Sequence, residues 1–218
     1  MAARSALTRS RDAESEDTRR AILGAARDLL AEGDLSIRRL CARAGVTPPT
    51  IYHHFGDKRA LVERVIDDCF AAFDQTLARR RPPADAVEAL AWAFDRYVEY
   101  GLAHPAHYRL MFQRSDARPA TATPAGRTSY DRLRRMVAAI AAAGRLAHPV
   151  EQATRACWCA AHGVTSLLVG GYFPADDPAV ALLRDGLITQ LTTAPGARRA
   201  RQPRGQKGDP QWHVANRR

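Results

Sequence analysis

Apolar residues along the first third of the chain recur at helical spacing. Ile22, Ala25, Ala26, Leu29 and Leu30 form one stripe, and Gly33 supplies the left-handed residue that ends many helices. The spacing predicts a helix from Thr18, capped by Asp17 or Thr18, after a polar, flexible arm over 1–17. Ser36 then caps a short helix over 37–43, with Ile37, Leu40 and Cys41 inward and Gly45 at the turn. Thr47 is the expected cap of a third helix, and Pro48 stands at its first position, where a missing N–H costs nothing. Asp57 caps a fourth, which carries Leu61, Val62, Val65, Ile66, Phe70 and Phe73 and should run to about Arg81, before Pro82 and Pro83. Further helices are predicted over 85–103, after Pro105, and over 124–143, 150–172 and 177–193. The polar stretch 113–123 reads as a mobile loop and the tail from 195 as disordered. The fold class expected is all-α.

Composition supports this picture. Apolar residues make up 46% of 218, enough for a real core, and alanine and leucine outweigh the β-branched residues. The net charge of +10 is concentrated at two places. Residues 18–66 hold nine basic against five acidic side chains, and residues 195–218 hold seven against one, whereas 67–194 is nearly balanced. A polyanionic partner is therefore expected at the ends of the chain. Cys41, Cys69, Cys157 and Cys159 form no metal-ligand ladder and are expected as reduced thiols in or near the core. The polar start and the lack of a long apolar run predict a cytoplasmic protein with no membrane partner.

The stretch 36–58, SIRRLCARAGVTPPTIYHHFGDK, has the plan of a helix-turn-helix. Ile51 and Phe55 lie at i, i+4 and should face the preceding helix with Val46. That turns Pro48, Pro49, Thr50, His53 and His54 outward, with Tyr52 at the border. Thr50 and the histidines suit base edges or phosphates, Tyr52 suits a phosphate, and Pro49 offers only apolar contact. Lys58 can hold a phosphate at a helix start, and Arg38, Arg39 and Arg43 can anchor the flanking backbone. The candidate DNA-binding set is Arg38, Arg39, Thr47, Pro48, Pro49, Thr50, Tyr52, His53, His54 and Lys58. Tyr52 also suits a half-buried core position and Lys58 a solvated cap. Adjacent histidines do not share a helix face, so no metal is expected.

Residues 18–58 resemble the DNA-binding domain of TetR-family (tetracycline-repressor-like) regulators. The pattern is carried by Gly45, Val46, Thr50, Tyr52, His54, Phe55 and Lys58, and the double proline departs from it. HPAHYRLMF and CWCAAHGVTSLLVGGYF resemble a subgroup with a Trp-x-x-x-His-Gly signature, here Trp158, His162 and Gly163. The resemblance implies a three-helix DNA-binding domain over 18–66 and a helical regulatory and dimerisation domain over 67–194, followed by the basic tail over 195–218. It implies a homodimer formed through the last two helices, a palindromic DNA operator as partner, and a small-molecule inducer in an internal pocket. Trp92, Tyr97, Tyr108, Met111, Phe112, Met136 and Trp158 are the candidate lining, with His162 as a polar handle. Each also reads as ordinary core, and His162 as a buried hydrogen-bond partner of a facing helix.

The function expected is a ligand-released repressor. The alternative is an architectural DNA binder without an inducer, which a solid core would favour. No enzyme is expected: there is no nucleophile elbow, phosphate loop or dinucleotide fingerprint, and Asp176 and Asp177 read as a loop and cap. No cofactor is expected.

Overall fold

The computed structural model describes residues 2–112 and 123–192, with side chains from Asp12 onward. The tail over 195–218 and the expected loop, apart from Thr123, lie outside the described residues. Nine helices make up the described fold: α1 (Ala2–Ala31), α2 (Ile37–Ala44), α3 (Pro48–Phe55), α4 (Lys58–Ala78), α5 (Ala86–Ala103), α6 (Pro105–Phe112), α7 (Pro124–Ala142), α8 (Val150–Val169) and α9 (Ala179–Leu191). One isolated bridge, Leu146 to Thr192, ties the start of α8's approach loop to the end of α9.

Several ends follow local chemistry. Ser36 Oγ accepts from Arg39 N, Asp57 from Ala60 N, Asp85 from Val87 N and Glu88 N, and Thr123 Oγ1 from Gly126 N, so four helix starts have side-chain caps. Gly45 ends α2 in the left-handed region at φ 68. Four expectations need correction. The helix does not begin at Thr18: α1 already runs from Ala2, through the residues expected as an arm. Alanine, arginine and glutamate are strong helix formers, and Arg19–Glu16 and Arg20–Asp17 pair at i, i+3. A polar helix leaves no apolar stripe to read. Thr47 flanks α3 without a side-chain cap, since its hydroxyl lies 3.0 Å from that of Thr50. Helix α8 stops at Val169, ahead of Gly170 and the left-handed Gly171. Finally, Cys159 is exposed, while Cys69 and Cys157 are buried; a spacing of two residues puts Cys157 and Cys159 on different faces of α8.

The core has three clusters. The largest joins Ile22, Leu29, Leu40, Ile51, Leu61, Val65, Phe70 and Phe73 to Tyr100, Leu110 and Met111. It crosses residue 66 without a break, because α4 is one continuous helix. Its first half packs the helix-turn-helix and its second half packs α6 and α7. The other clusters hold α5, α7, α8 and α9 together. Each fully buried Leu or Ile contributes on the order of 1.5–3 kcal/mol, so the small three-helix head is held chiefly through α4.

Candidate nucleic-acid interface and internal cavity

Helix α3 is short, so its orientation depends on its ends and one anchor. Ile51 is fully buried in the main cluster. Gly56, at φ 79, closes the helix by donating its N–H to Tyr52 O and turns the chain into the Asp57 cap of α4. Phe55 packs against the core, and the Arg19 guanidinium lies 5.8 Å from its ring centre. Opposite this buried side, Thr47, Pro48, Pro49, Tyr52 and His53 are exposed; Tyr52 keeps 46% of its surface in solvent. Thr50 and His54 are half-buried. His54 lies edge-on to His53, with ring centres 5.4 Å apart. The expected outward face is thus narrower than the spacing suggested, because residue 54 follows the Ile51 and Phe55 side part of the way round.

The surrounding cations differ in their partners. Arg39 pairs with Asp34 and, at 3.8 Å, with Glu32. Arg43 donates to Glu32 at 2.6 Å, and this guanidinium holds the Glu32 carboxyl below the usual carboxylate range. Lys58 Nζ donates to the Leu35 carbonyl at 2.8 Å, fastening the start of α4 to the loop before α2. Among the described residues Arg38 is exposed and makes no hydrogen bond or ion pair. Spacing alone could not separate these four cations. Glu32 and Asp34, which neutralise two of them, are eleven and five residues away in the chain and meet them only through the α1–α2 turn.

A cavity lies between α4, α5, α6, α7, α8 and α9. Tyr97, Phe112, Met136 and Trp158 line it as expected, together with Phe73, Leu133 and Leu187. Trp92 and Met111 do not: Trp92 packs on the main cluster, and Met111 is 1% exposed within it. Tyr108 and His162 also stand behind the wall. Tyr108 Oη lies 2.7 Å from His162 Nδ1 and donates to His162 O at 3.0 Å, while Tyr97 Oη lies 3.5 Å from the same ring nitrogen. Burial lowers the proton affinity of His162 and raises the phenol pKa of Tyr108 to about 12. His162 is therefore a neutral partner of the facing α6. The helical period sets which residues share a stripe, but not which of two neighbouring helices the stripe meets.

The polar part of the cavity was missed from the sequence. Ser129 and Arg132 reach it from α7. Arg132 Nε donates to Asp74 Oδ1 on α4 at 3.1 Å. Burial pushes the Asp74 carboxyl upward, opposed by Arg132 and by the nearby Ser129 dipole. Ser129 Oγ is itself shut off from solvent and has no hydrogen-bond partner of good geometry. An acid on α4 facing a basic residue of α7 across fifty-eight positions leaves no local signal in the chain. No group of three or more His, Cys, Asp or Glu suited to a metal ion occurs among the described residues, and no helix among them is long and apolar enough to cross a membrane.

Two family models match the chain. Residues 22–65 match "Bacterial regulatory proteins, tetR family" and residues 90–191 match "Tetracyclin repressor-like, C-terminal domain". The HTH-type transcriptional regulator UidR of Escherichia coli K12 is 31% identical over 88 residues. That match takes in 39% of this chain and 43% of UidR, so less than half of the relative's length is spanned. A solved protein of unknown function from Rhodococcus sp. RHA1 is similar over 81% of this chain and 96% of its own, with 27% identity and a TM-score of 0.67. NalD of Pseudomonas aeruginosa, the secondary repressor of the MexAB-OprM multidrug efflux pump, shares the fold at a TM-score of 0.61 and 21% identity, covering 82% of this chain and 98% of its own.

Proposed function

The chain belongs to the TetR family of DNA-binding transcriptional regulators, and on that premise we propose that it is a cytoplasmic, homodimeric repressor without catalytic activity, released from a palindromic operator by a small molecule. The observation that carries the DNA-reading part is α3: a helix locked by buried Ile51 at one side, with Pro48, Pro49, Tyr52 and His53 exposed at the other. Thr50 and His53 are the base-facing residues, Tyr52 and Lys58 the phosphate-facing ones, and Arg38, Arg39 and Thr47 the flanking contacts. His54 supports the helix and reaches DNA only at its edge. Exposed Leu167, Phe173, Leu182 and Leu183 on and between α8 and α9 support a second copy as partner. A two-fold axis would set the two recognition helices about 34–36 Å apart, one turn of DNA.

The cavity favours a ligand-responsive regulator over an architectural DNA binder. Its walls include α4, whose first turns follow the recognition helix and pack with Ile51 in one cluster, so occupancy and DNA affinity are linked and each changes the other by the same factor. The test begins with DNA selected by the full chain from a random pool. Thr50→Ala and His53→Ala should then alter preference among variants of the selected site, by about 1–3 kcal/mol for each base interaction removed. Identical sequence preference in both variants and the parent would remove this face as the reader.

A further inference from the structure

We propose that His107, with His104 stacked on it, is a pH-sensitive clasp between the DNA-reading head and the regulatory half: neutral, it seats α6 against α1 and α4, and protonated, it loosens that seat and weakens DNA binding. The proposal rests on the DNA-reading assignment above.

The clasp lies where α6 meets α1 and α4. Arg20, Leu23 and Arg27 of α1 face Asp68 and Cys69 of α4 and His107 of α6 across an open cleft of about 280 Å³. Tyr100 of α5 donates its hydroxyl to the Cys69 carbonyl at 3.3 Å and lies 3.2 Å from His107 Nδ1. With that phenol proton committed to Cys69, Nδ1–H donates to Tyr100 Oη, and Nε2 is the nitrogen left to titrate. One imidazole thus joins α6, through Tyr100, to the helix that follows the recognition helix. His104 stacks on it with ring centres 5.5 Å apart and planes 16° from parallel.

Charge sets the direction. The carboxylates in and beside the cleft each have an arginine already. Asp17 pairs with Arg20, Asp28 with Arg27 at 3.5 Å, and Asp68 with Arg64 at 3.0 Å. A proton on His107 therefore adds a cation beside Arg20 and Arg27 without a carboxylate of its own, and a proton on the stacked His104 adds a second. Burial first, then Arg27 and His104, hold the His107 pKa below the ordinary 6.5, against the pull of Asp28. Opening the joint moves His107 toward water and restores its affinity for protons, so acid favours the open form. The clasp is closed above about pH 6.5 and opens as pH falls through the lowered value.

The test follows the affinity of the full chain for its selected DNA by anisotropy from about pH 7.5 to about pH 5.5 at fixed ionic strength, the range over which histidine titrates. Hydrogen exchange of α1 and α6 is followed on the free chain. Acid also charges the exposed His53 of α3, which favours DNA, so the readout is the ratio of parent to His107→Gln affinity. That ratio should fall about fivefold or more toward the acid end, the low end of a typical coupling between two sites. Arg27→Met, at an exposed position, removes the facing charge and should flatten the acid response of the parent. Exchange in α1 should quicken in acid, after correction for its intrinsic rate, in the parent and not in His107→Gln. A ratio constant with pH overturns the proposal, even where α1 exchange quickens, since DNA binding then ignores the joint. If His107→Gln does not fold, identical pH dependence in the parent and Arg27→Met overturns it instead. A chain that selects no DNA refutes the DNA-reading assignment, and the exchange difference then decides the clasp alone.

Discussion

Lys58 occupies a position where one side chain serves two ends. Its ammonium has three donors, and one of them reaches the Leu35 carbonyl at 2.8 Å. Two remain for a phosphate beside α3. Lys58→Met keeps most of the aliphatic stem and removes all three donors, so the substitution should register twice. Removing the internal bond at an exposed site should cost about 0.5–1 kcal/mol, which lowers the melting temperature by about 1–4 °C for a chain of this size. Removing the ammonium from the phosphate should change the salt dependence. Each neutralised phosphate contributes about 0.9 to the slope of log affinity against log salt, so a dimer with two fewer neutralised phosphates should have a slope shallower by about 1.8. Between 50 and 200 mM salt, a slope change of that size alters the ratio of parent to variant affinity about twelvefold. Fluorescence anisotropy on selected DNA across that range, with scanning calorimetry alongside, measures both. Parallel salt lines with a lowered melting temperature would refute the phosphate role and leave Lys58 as an internal fastener alone.

Ile51→Ala should destabilise the chain by about 2–5 kcal/mol in urea unfolding, because the side chain is fully buried where the recognition helix meets its support. Acid should weaken the fold through His162 and His107, whose folded-state pKa values burial holds below the ordinary 6.5. Their contribution is present above about pH 6.5 and is lost as pH falls through the lower folded values. Melting temperatures from pH 7.5 to 5 should fall, and less so in His162→Gln with His107→Gln; an unchanged slope would assign the loss to other groups. Leu182→Glu with Leu167→Glu should convert dimer to monomer in light scattering and weaken DNA binding at least tenfold, since Leu182 is 76% exposed on one chain alone.

What was legible in the sequence was local. Ser36 and Asp57 cap helices because a cap needs only a side chain and an N–H three residues on. The inward face of α3 was legible because Ile51 and Phe55 sit one turn apart. Thr47 failed as a cap since its hydroxyl had a competing neighbour in Thr50. The start of α1 was not legible because a polar helix has propensity but no stripe. The cavity was half legible for a different reason. Tyr97 and Trp158 point to it and Trp92 and Met111 do not, although all four look alike in the chain. Which side a large residue takes depends on interhelical packing, and so does the meeting of Asp74 with Arg132.

That meeting bears on how the two halves communicate. Phe70, Phe73 and Leu77 line the cavity from one stretch of α4, and Leu61 on the same helix packs the three-helix head. At about 1.5 Å per residue, 12 to 19 residues separate Lys58 from that wall by about 18–28 Å of continuous helix. A tilt of a few degrees at the cavity therefore moves the Lys58 end by about 1–2 Å, comparable to known helix shifts at switching interfaces. The Asp74–Arg132 bond lies at the cavity end of this lever and ties it to α7. Asp74→Asn keeps the shape and weakens that tie. It should reduce the effect of cavity occupancy on DNA affinity while leaving DNA affinity in the empty state nearly unchanged, measured by anisotropy with and without a bound ligand. Equal coupling in parent and variant would show that the lever is held elsewhere, and the pair in which Arg184 Nη1 donates to both carboxylate oxygens of Asp95, joining α9 to α5, would be the next tie to cut.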